Sequence, residues 1–316
     1  NNETDPDKRK SYLPVIDTEA VKELVAHVHS TGAKAMLYNM IYAVSLEEGV
    51  PNEVKSAIVR NLEDHFNFGK KGDVTATDIQ QFLDPGDPNW QKFIIEVMTK
   101  AMKEGNFDGW QGDTMGSNWV EKVSEPGKGF SLSEHYPELA TAATEALKKE
   151  GYDFMINDIS TGDADRLGKT NVSAPYAEVW GDSIAYDSTY QALTRLTERM
   201  RDSYKGKSPI IAAYTHRGKN ASALSKDNEL LTDAIIAASG GYHMTTAALN
   251  TSQDAKGFGV IHAEWYLNQN LPVNAEFANA EYNYQEFIVA YQELLRGRDT
   301  LAHDPRRTVD KTTGLV

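Results

Sequence analysis

The 316-residue sequence predicts an α/β protein, a (β/α)8 TIM barrel lacking its first strand. Three observations predict it. Short strand-like runs alternate with helix-period segments along the chain. Polar residues recur at the carboxyl ends of those runs, where barrel enzymes present their chemistry. Neither G-x-G-x-x-G nor a complete G-x-x-x-x-G-K-[ST] phosphate loop, which a doubly wound open sheet usually carries, occurs in the sequence; the G-K-[ST] triplets at 168–170 and 206–208 lack its first glycine.

In chain order, Asp17-Thr18-Glu19 opens a helix whose apolar positions Val21, Leu24, Val25 and Val28 keep helical spacing, and Thr31-Gly32 ends it. Residues 33–39 form the next strand, with Tyr38 and Asn39 at its carboxyl end. A long connection over 45–77 is expected to hold a short helix around 54–62, since loops of that length rarely lack structure. Residues 78–83 read as a short strand, closed by the turn chemistry of Asp84-Pro85-Gly86-Asp87-Pro88. An amphipathic helix over 89–102 has Phe93, Ile94, Val97, Met98 and Met102 as its inner face, with Trp90 assigned to the core.

The run Phe107 to Gly116 follows, an aromatic strand running into a glycine-bounded loop that presents Asp113. Further helices are expected over 133–149, 188–204, 227–238 and 284–295. Further strands are expected over 152–158, 174–181, 209–215 and 240–245. The strand over 209–215 is the most continuously apolar, as burial on both faces of a parallel sheet requires. Seven strands result. Because the chain starts with a loop and helix, the missing strand is placed upstream of Asn1. The whole chain, 1–316, is assigned to one barrel domain truncated at its amino end, and 296–316 to a tail or linker towards a further domain.

A net charge of -14 with no localised basic patch argues against a nucleic-acid partner. With no cysteine, thiolate metal sites and thiol nucleophiles are excluded. No run of 18 apolar residues suggests membrane insertion, and the acidic amino terminus does not resemble a signal peptide.

Asp113 and Glu178 are carboxylates near the ends of two strands, with Trp110 and Trp180 close by. Acids and aromatics on one barrel face suit a glycoside hydrolase, because sugar rings stack on indoles and sugar hydroxyls bond to carboxylates, amides and imidazoles. Taken singly, Asp113 could be a turn cap and Glu178 a core-edge glutamate paired with a lysine or arginine. The combination at successive strand ends favours an enzyme.

The segment FDGWQGDTMG (Phe107–Gly116) closely resembles the nucleophile motif of glycoside hydrolase family 66, the endo-dextranases and cycloisomaltooligosaccharide glucanotransferases. AKAMLYNMIYA (Ala33–Ala43), Ile156–Asp158 and YAEVW (Tyr176–Trp180) are similar to that family in the same order. The resemblance implies a retaining mechanism with Asp113 as nucleophile and Glu178 as general acid/base. It implies α-1,6-linked glucan (dextran and isomaltooligosaccharides) as substrate, no metal or organic cofactor, and a catalytic barrel whose first strand and flanking β domains are not in this chain. Tyr38, Asn39, Trp110, Gln111, Asp158, Trp180 and His243 are the candidates for sugar contacts. The cyclising members carry a carbohydrate-binding insertion after the seventh strand, and the roughly ten residues from Thr215 to Asp227 leave no room for one, so dextranase is preferred over glucanotransferase. A non-catalytic glucan-binding barrel is the alternative of a different class. The protein is expected to be a monomer acting outside the cell or at its surface.

Overall fold

The structure is a computed structural model that describes residues 18–45, 50–58, 66–67, 79–115, 132–180, 189–214, 226–244, 247–249, 259–262, 270–272 and 275–296. The chain divides into two compact units, residues 1–158 with 162–174, and residues 159–161 with 175–316.

In the first unit, helix α1 (Thr18–Ser30) leads into strand β1 (Met36–Met40). Strand β2 (Ala43–Ser45) follows, then a short 3-10 helix (Asn52–Ala57), β3 (Phe66–Asn67) and β4 (Ile79–Phe82). Helix α2 (Pro88–Gly105), strand β5 (Gly109–Met115), helix α3 (Leu132–Lys149), strand β6 (Asp153–Asp158) and the one-turn helix α4 (Ala164–Leu167) complete the unit.

Strand β5 is central, pairing in parallel with β1 on one side and β6 on the other. The expected strand over 78–83 corresponds to β4, but it is not part of this parallel sheet. It pairs antiparallel with β2 and β3 in a separate three-stranded sheet. Of the expected helix over 54–62, residues 54–57 belong to the 3-10 helix ending at Ala57, and 59–62 lie outside the described residues.

Local chemistry explains α2. Asp87 accepts from the backbone N–H of Asn89 at 2.8 Å and of Trp90 at 3.2 Å, and Pro88 occupies the first helical position, where its missing N–H costs nothing. The helix ends at Asn106, which adopts the left-handed conformation that asparagine tolerates. Trp90 is core, as expected, and its indole N–H donates to the Ile41 carbonyl at 3.1 Å. Nearby, Tyr42 stacks on Tyr136 with ring centroids 5.6 Å apart and meets the edge of Phe82.

The amino end of β5 is stitched to its neighbours. Asp108 accepts the Ala35 N–H on Oδ2 at 2.7 Å, and the same oxygen lies 2.8 Å from His29 Nε2. The Asp108 N–H donates to the Ala35 carbonyl, and the Asp108 carbonyl accepts from Asp153. Burial works to raise the Asp108 carboxyl, but the Ala35 N–H and His29 outweigh it and hold the group below the usual carboxylate range.

The second unit has β7 (Ala174–Trp180), α5 (Tyr190–Ser203), β8 (Ile210–Tyr214), α6 (Lys226–Ala238) and β9 (Tyr242–His243). Strands β10 (Ala247–Leu249), β11 (Gly259–His262) and β12 (Asn270–Pro272) follow, then helices α7 (Ala275–Ala290) and α8 (Gln292–Arg296). Here β8 is central, parallel to both β7 and β9, and β10, β11 and β12 form an antiparallel sheet. Thr189 caps α5 by accepting from the Ala192 N–H at 3.1 Å. The helix expected over 284–295 begins nine residues earlier, at Ala275, and is interrupted at Tyr291. The tail beyond 296 lies outside the described residues.

Candidate active site

Asp113 is the fifth of seven residues in β5 and is only 8% exposed. The strand continues for two residues beyond it, so Asp113 belongs to the pleat. Strand alternation sets its company. Asp113 shares a face with Gln111, and with Tyr38 and Met40 of the paired strand β1. On β6 the same face carries Met155 and Asn157.

Both carboxylate oxygens of Asp113 are engaged by neighbouring strands. The Tyr38 hydroxyl donates a short hydrogen bond to Oδ2, and the Asn157 amide donates to Oδ1 at 2.6 Å. Donors aimed at both oxygens of a carboxylate fix its rotamer. Gln111 is half-buried beside it.

The remaining candidates of this unit lie on the opposite face. Asn39 is half-buried on β1. Trp110 has no exposed surface, and its ring packs against Phe154 with centroids 4.9 Å apart. An indole so enclosed has no face to offer a sugar, so Trp110 is a core residue here. Its alternation partner Gly112 sits so close to its neighbours that a Cβ would lie 2.6 Å from Ile41 Cγ2 and 3.1 Å from the Phe154 ring. Asp158 is fully buried, and its Oδ1 accepts the Asp163 N–H at 3.0 Å. Asp163 in turn pairs with Arg166, which also donates to Ser133 at 3.1 Å.

In the second unit, Glu178 is the fifth of seven residues in β7 and is half-buried. The hydroxyl of the buried Tyr176, two residues earlier on the same face, reaches Glu178 Oε1 at 3.5 Å. Trp180 is the last residue of β7, and its side chain lies outside the described residues.

His243 ends β9 and turns towards helices. Its Nδ1 is 2.5 Å from Asp233 Oδ1 and 3.7 Å from Glu229 Oε1, both on α6, with the three side chains at most 4% exposed. Gln285 of α7 donates to Glu281 at 2.8 Å and approaches Asp233 Oδ2 at 3.4 Å. The imidazole is enclosed by carboxylates, which leaves no ring surface for a sugar.

Asn157 and Tyr176 touch the two candidate acids and are not among the sugar-contact candidates. Parity along the strands, once the register is known, is the signal that identifies both. Among the described residues no group of three His, Cys, Asp or Glu is arranged to hold a metal ion, and no helix is long and apolar enough to cross a membrane.

Parallel strands that hand on to helices, with acids near the carboxyl ends of β5 and β7, define an α/β protein of the (β/α)8-barrel class. The chain belongs to glycosyl hydrolase family 66, whose model matches residues 2–314. It is 38% identical over 315 residues to a dextranase of Streptococcus salivarius, an alignment covering 89% of this chain and 38% of that protein. A cycloisomaltooligosaccharide glucanotransferase of Niallia circulans is 27% identical over 65% of this chain and 22% of its own length. The chain thus spans well under half the length of these relatives.

Among solved structures, a cycloisomaltooligosaccharide glucanotransferase of Paenibacillus sp., complexed with cycloisomaltoheptaose, matches with a TM-score of 0.50 at 20% identity. That match covers 78% of this chain and 34% of the other. Kfla1895, in a variant bound to isomaltose, matches with a TM-score of 0.54 at 13% identity over 92% of this chain and 40% of the other. At these identities the likeness speaks for the fold.

Proposed function

We propose that this chain carries the endo-hydrolysis of α-1,6-glucosidic bonds in dextran, by a retaining mechanism with Asp113 as nucleophile and Glu178 as general acid/base. The observation that carries the proposal is Asp113 itself: a carboxylate near the carboxyl end of a central strand, largely withdrawn from water and held on each oxygen by a donor from a different strand. The dextranase relative supports the choice of substrate.

In the first step Asp113 attacks the anomeric carbon while Glu178 gives its proton to the departing glycosidic oxygen. The C–O bond to the leaving sugar breaks as the ester to Asp113 forms. In the second, Glu178 takes a proton from water, the water oxygen attacks the same carbon, and the ester opens to return Asp113 ionised. Two inversions leave the configuration unchanged. Secretion is in keeping with a polymer substrate too large to be taken up intact.

The test is release of reducing ends from dextran together with the anomeric configuration of the first product, followed by NMR. Asp113→Ala is expected to abolish release, and azide added to Glu178→Ala is expected to give a glycosyl azide of retained configuration. Full activity in Asp113→Ala would remove the nucleophile assignment; an inverted product would remove the mechanism.

A second reading has an observation in its favour, the similarity to glucanotransferases. Chromatography of the products separates the two, since a cyclising enzyme yields rings with no reducing end. Dextran binding without turnover would instead favour a non-catalytic barrel.

A further inference from the structure

Resting on the reading of Asp113 as nucleophile, we infer that Asn157 is a positioning residue that selects which oxygen of Asp113 attacks: Oδ1 stays on the buried amide, and Oδ2 bonds to the sugar as Tyr38 yields.

The asymmetry between the two donors leads to this assignment. A carboxylate only accepts, so the amide must turn its NH2 towards Oδ1, and the 2.6 Å contact is the short, charge-assisted kind. Asn157 has no exposed surface and projects from β6, the strand paired with β5 in the same sheet. A group fixed in this way cannot move aside to let a sugar carbon approach Oδ1. Tyr38 is different. It is 58% exposed, it comes from β1 on the other side of β5, and only its hydroxyl tip holds Oδ2. The open approach to the carboxylate is therefore on the Tyr38 side.

During glycosylation a lone pair of Oδ2 forms the new bond to the anomeric carbon, and the bond to the leaving oxygen breaks as that oxygen takes the Glu178 proton. Tyr38 keeps its own proton and shifts its hydrogen bond off the attacking lone pair. Oδ1 becomes the ester carbonyl oxygen, which still accepts from the Asn157 amide, so this contact persists through both steps. When the ester opens, the electrons of the broken bond return to Oδ2. Asn157 thus holds the carboxylate plane along the line of attack without exchanging a proton.

The experiment compares wild type, Asn157→Ala, Asn157→Asp and Tyr38→Phe on dextran across pH. The residue esterified by a glucose-configured epoxide inactivator is located in each by peptide mass spectrometry. Asn157→Ala is expected to lower kcat about 10²-fold while KM moves less than about threefold, because the group orients the nucleophile and touches no sugar. Asn157→Asp keeps the shape. Ionised, it repels Asp113; protonated, its O–H donates to Oδ1 in place of the amide. Its activity relative to wild type is therefore expected to rise about tenfold between about pH 7 and pH 5, whereas the Asn157→Ala ratio stays flat. Tyr38→Phe is expected to lose no more than about tenfold.

A flat, depressed ratio for Asn157→Asp, or near-wild-type activity of both Asn157 variants, overturns the positioning role. A larger loss in Tyr38→Phe than in Asn157→Ala reverses the assignment of the oxygens. Should Asn157→Ala fail to fold by circular dichroism, the isosteric Asn157→Asp and the exposed Tyr38→Phe decide. Wild-type labelling at a residue other than Asp113 removes the reading of Asp113 as nucleophile; labelling at Asp113 with either negative result removes only this inference.

Discussion

His243 Nδ1 and Asp233 Oδ1 are 2.5 Å apart with both side chains almost wholly out of water, and two further carboxylates, Glu229 and Glu281, belong to the same cluster. Burial alone would pull the imidazole down. The hydrogen bond to Asp233 and the charges of Glu229, Asp233 and Glu281 outweigh it and hold His243 above its usual range. Glu281 is pushed up to about 7, chiefly by burial and also by the charges of Asp233 and Glu229, against a hydrogen bond from Gln285.

The pH dependence of stability follows from these two directions. Each group binds a proton more tightly folded than unfolded, so each favours the folded state when protonated and loses that contribution as pH rises. For Glu281 the loss runs from its ordinary 4.5 to about 7; for His243 it continues above the imidazole's ordinary 6.5. Urea unfolding midpoints are expected to fall from about pH 5 to pH 8. Glu281→Gln should flatten that slope and exceed wild type above pH 7 by about 1–2 kcal/mol, a figure reduced for partial exposure. A slope unchanged in Glu281→Gln would show that its proton is not linked to folding.

Trp110→Ala is expected to cost about 3–5 kcal/mol of stability, because it empties a fully buried ring site against Phe154. Trp110→Phe should cost much less. It keeps a ring in place and deletes an indole N–H that has no hydrogen-bond partner among the described residues. Thermal unfolding checks both, and KM for dextran should stay near wild type in Trp110→Phe. A large rise in KM with stability intact would return Trp110 to the list of sugar contacts.

Gly112→Ala adds a methyl group where Ile41 Cγ2 would be 2.6 Å away. The expected cost is about 1–3 kcal/mol, with activity falling further than stability because the displaced backbone carries Asp113. Combining it with Ile41→Ala should recover part of both losses, which kinetics and unfolding together can measure.

Asp87→Ala removes the acceptor of two N–H groups at the start of α2 and is expected to cost about 1 kcal/mol. Asp87→Ser should recover most of it. Activity below the unfolding transition should be unaffected, and a loss there would reveal coupling between this helix end and the site.

Elements with local signals were legible in the sequence. The helix over 89–102 announced itself through periodic apolar residues behind Asp87-Pro88, and the 209–215 strand through its continuous apolar run. Partners set at long range were not. Nothing in the four residues of β4 shows that it pairs antiparallel with β2 and β3. The start of α7 was hidden because only Phe277 and Ile288 are buried on it, too few for a stripe.

The sequence singles out Asp113 as a candidate but not the side chains packed around it. Phe154, Met155 and Ile156 are all apolar because β6 is buried on both faces, so alternation could not tell which of Asn157 and Asp158 faces Asp113. The sequence does not show that Phe154 packs against Trp110. Nor does it show that α6 and α7 bring acids to His243, since those pairings are set at long range.

Asp108 and Asp113 stand near opposite ends of one strand with separate duties. The register of β5 is locked at its entrance by Asp108, Ala35, His29 and Asp153, none of which the proposed chemistry uses. Side-chain changes at Asp113 are therefore expected to leave the sheet assembled, which would make such a variant usable as an intact scaffold for trapping, crystallising or re-engineering the candidate site.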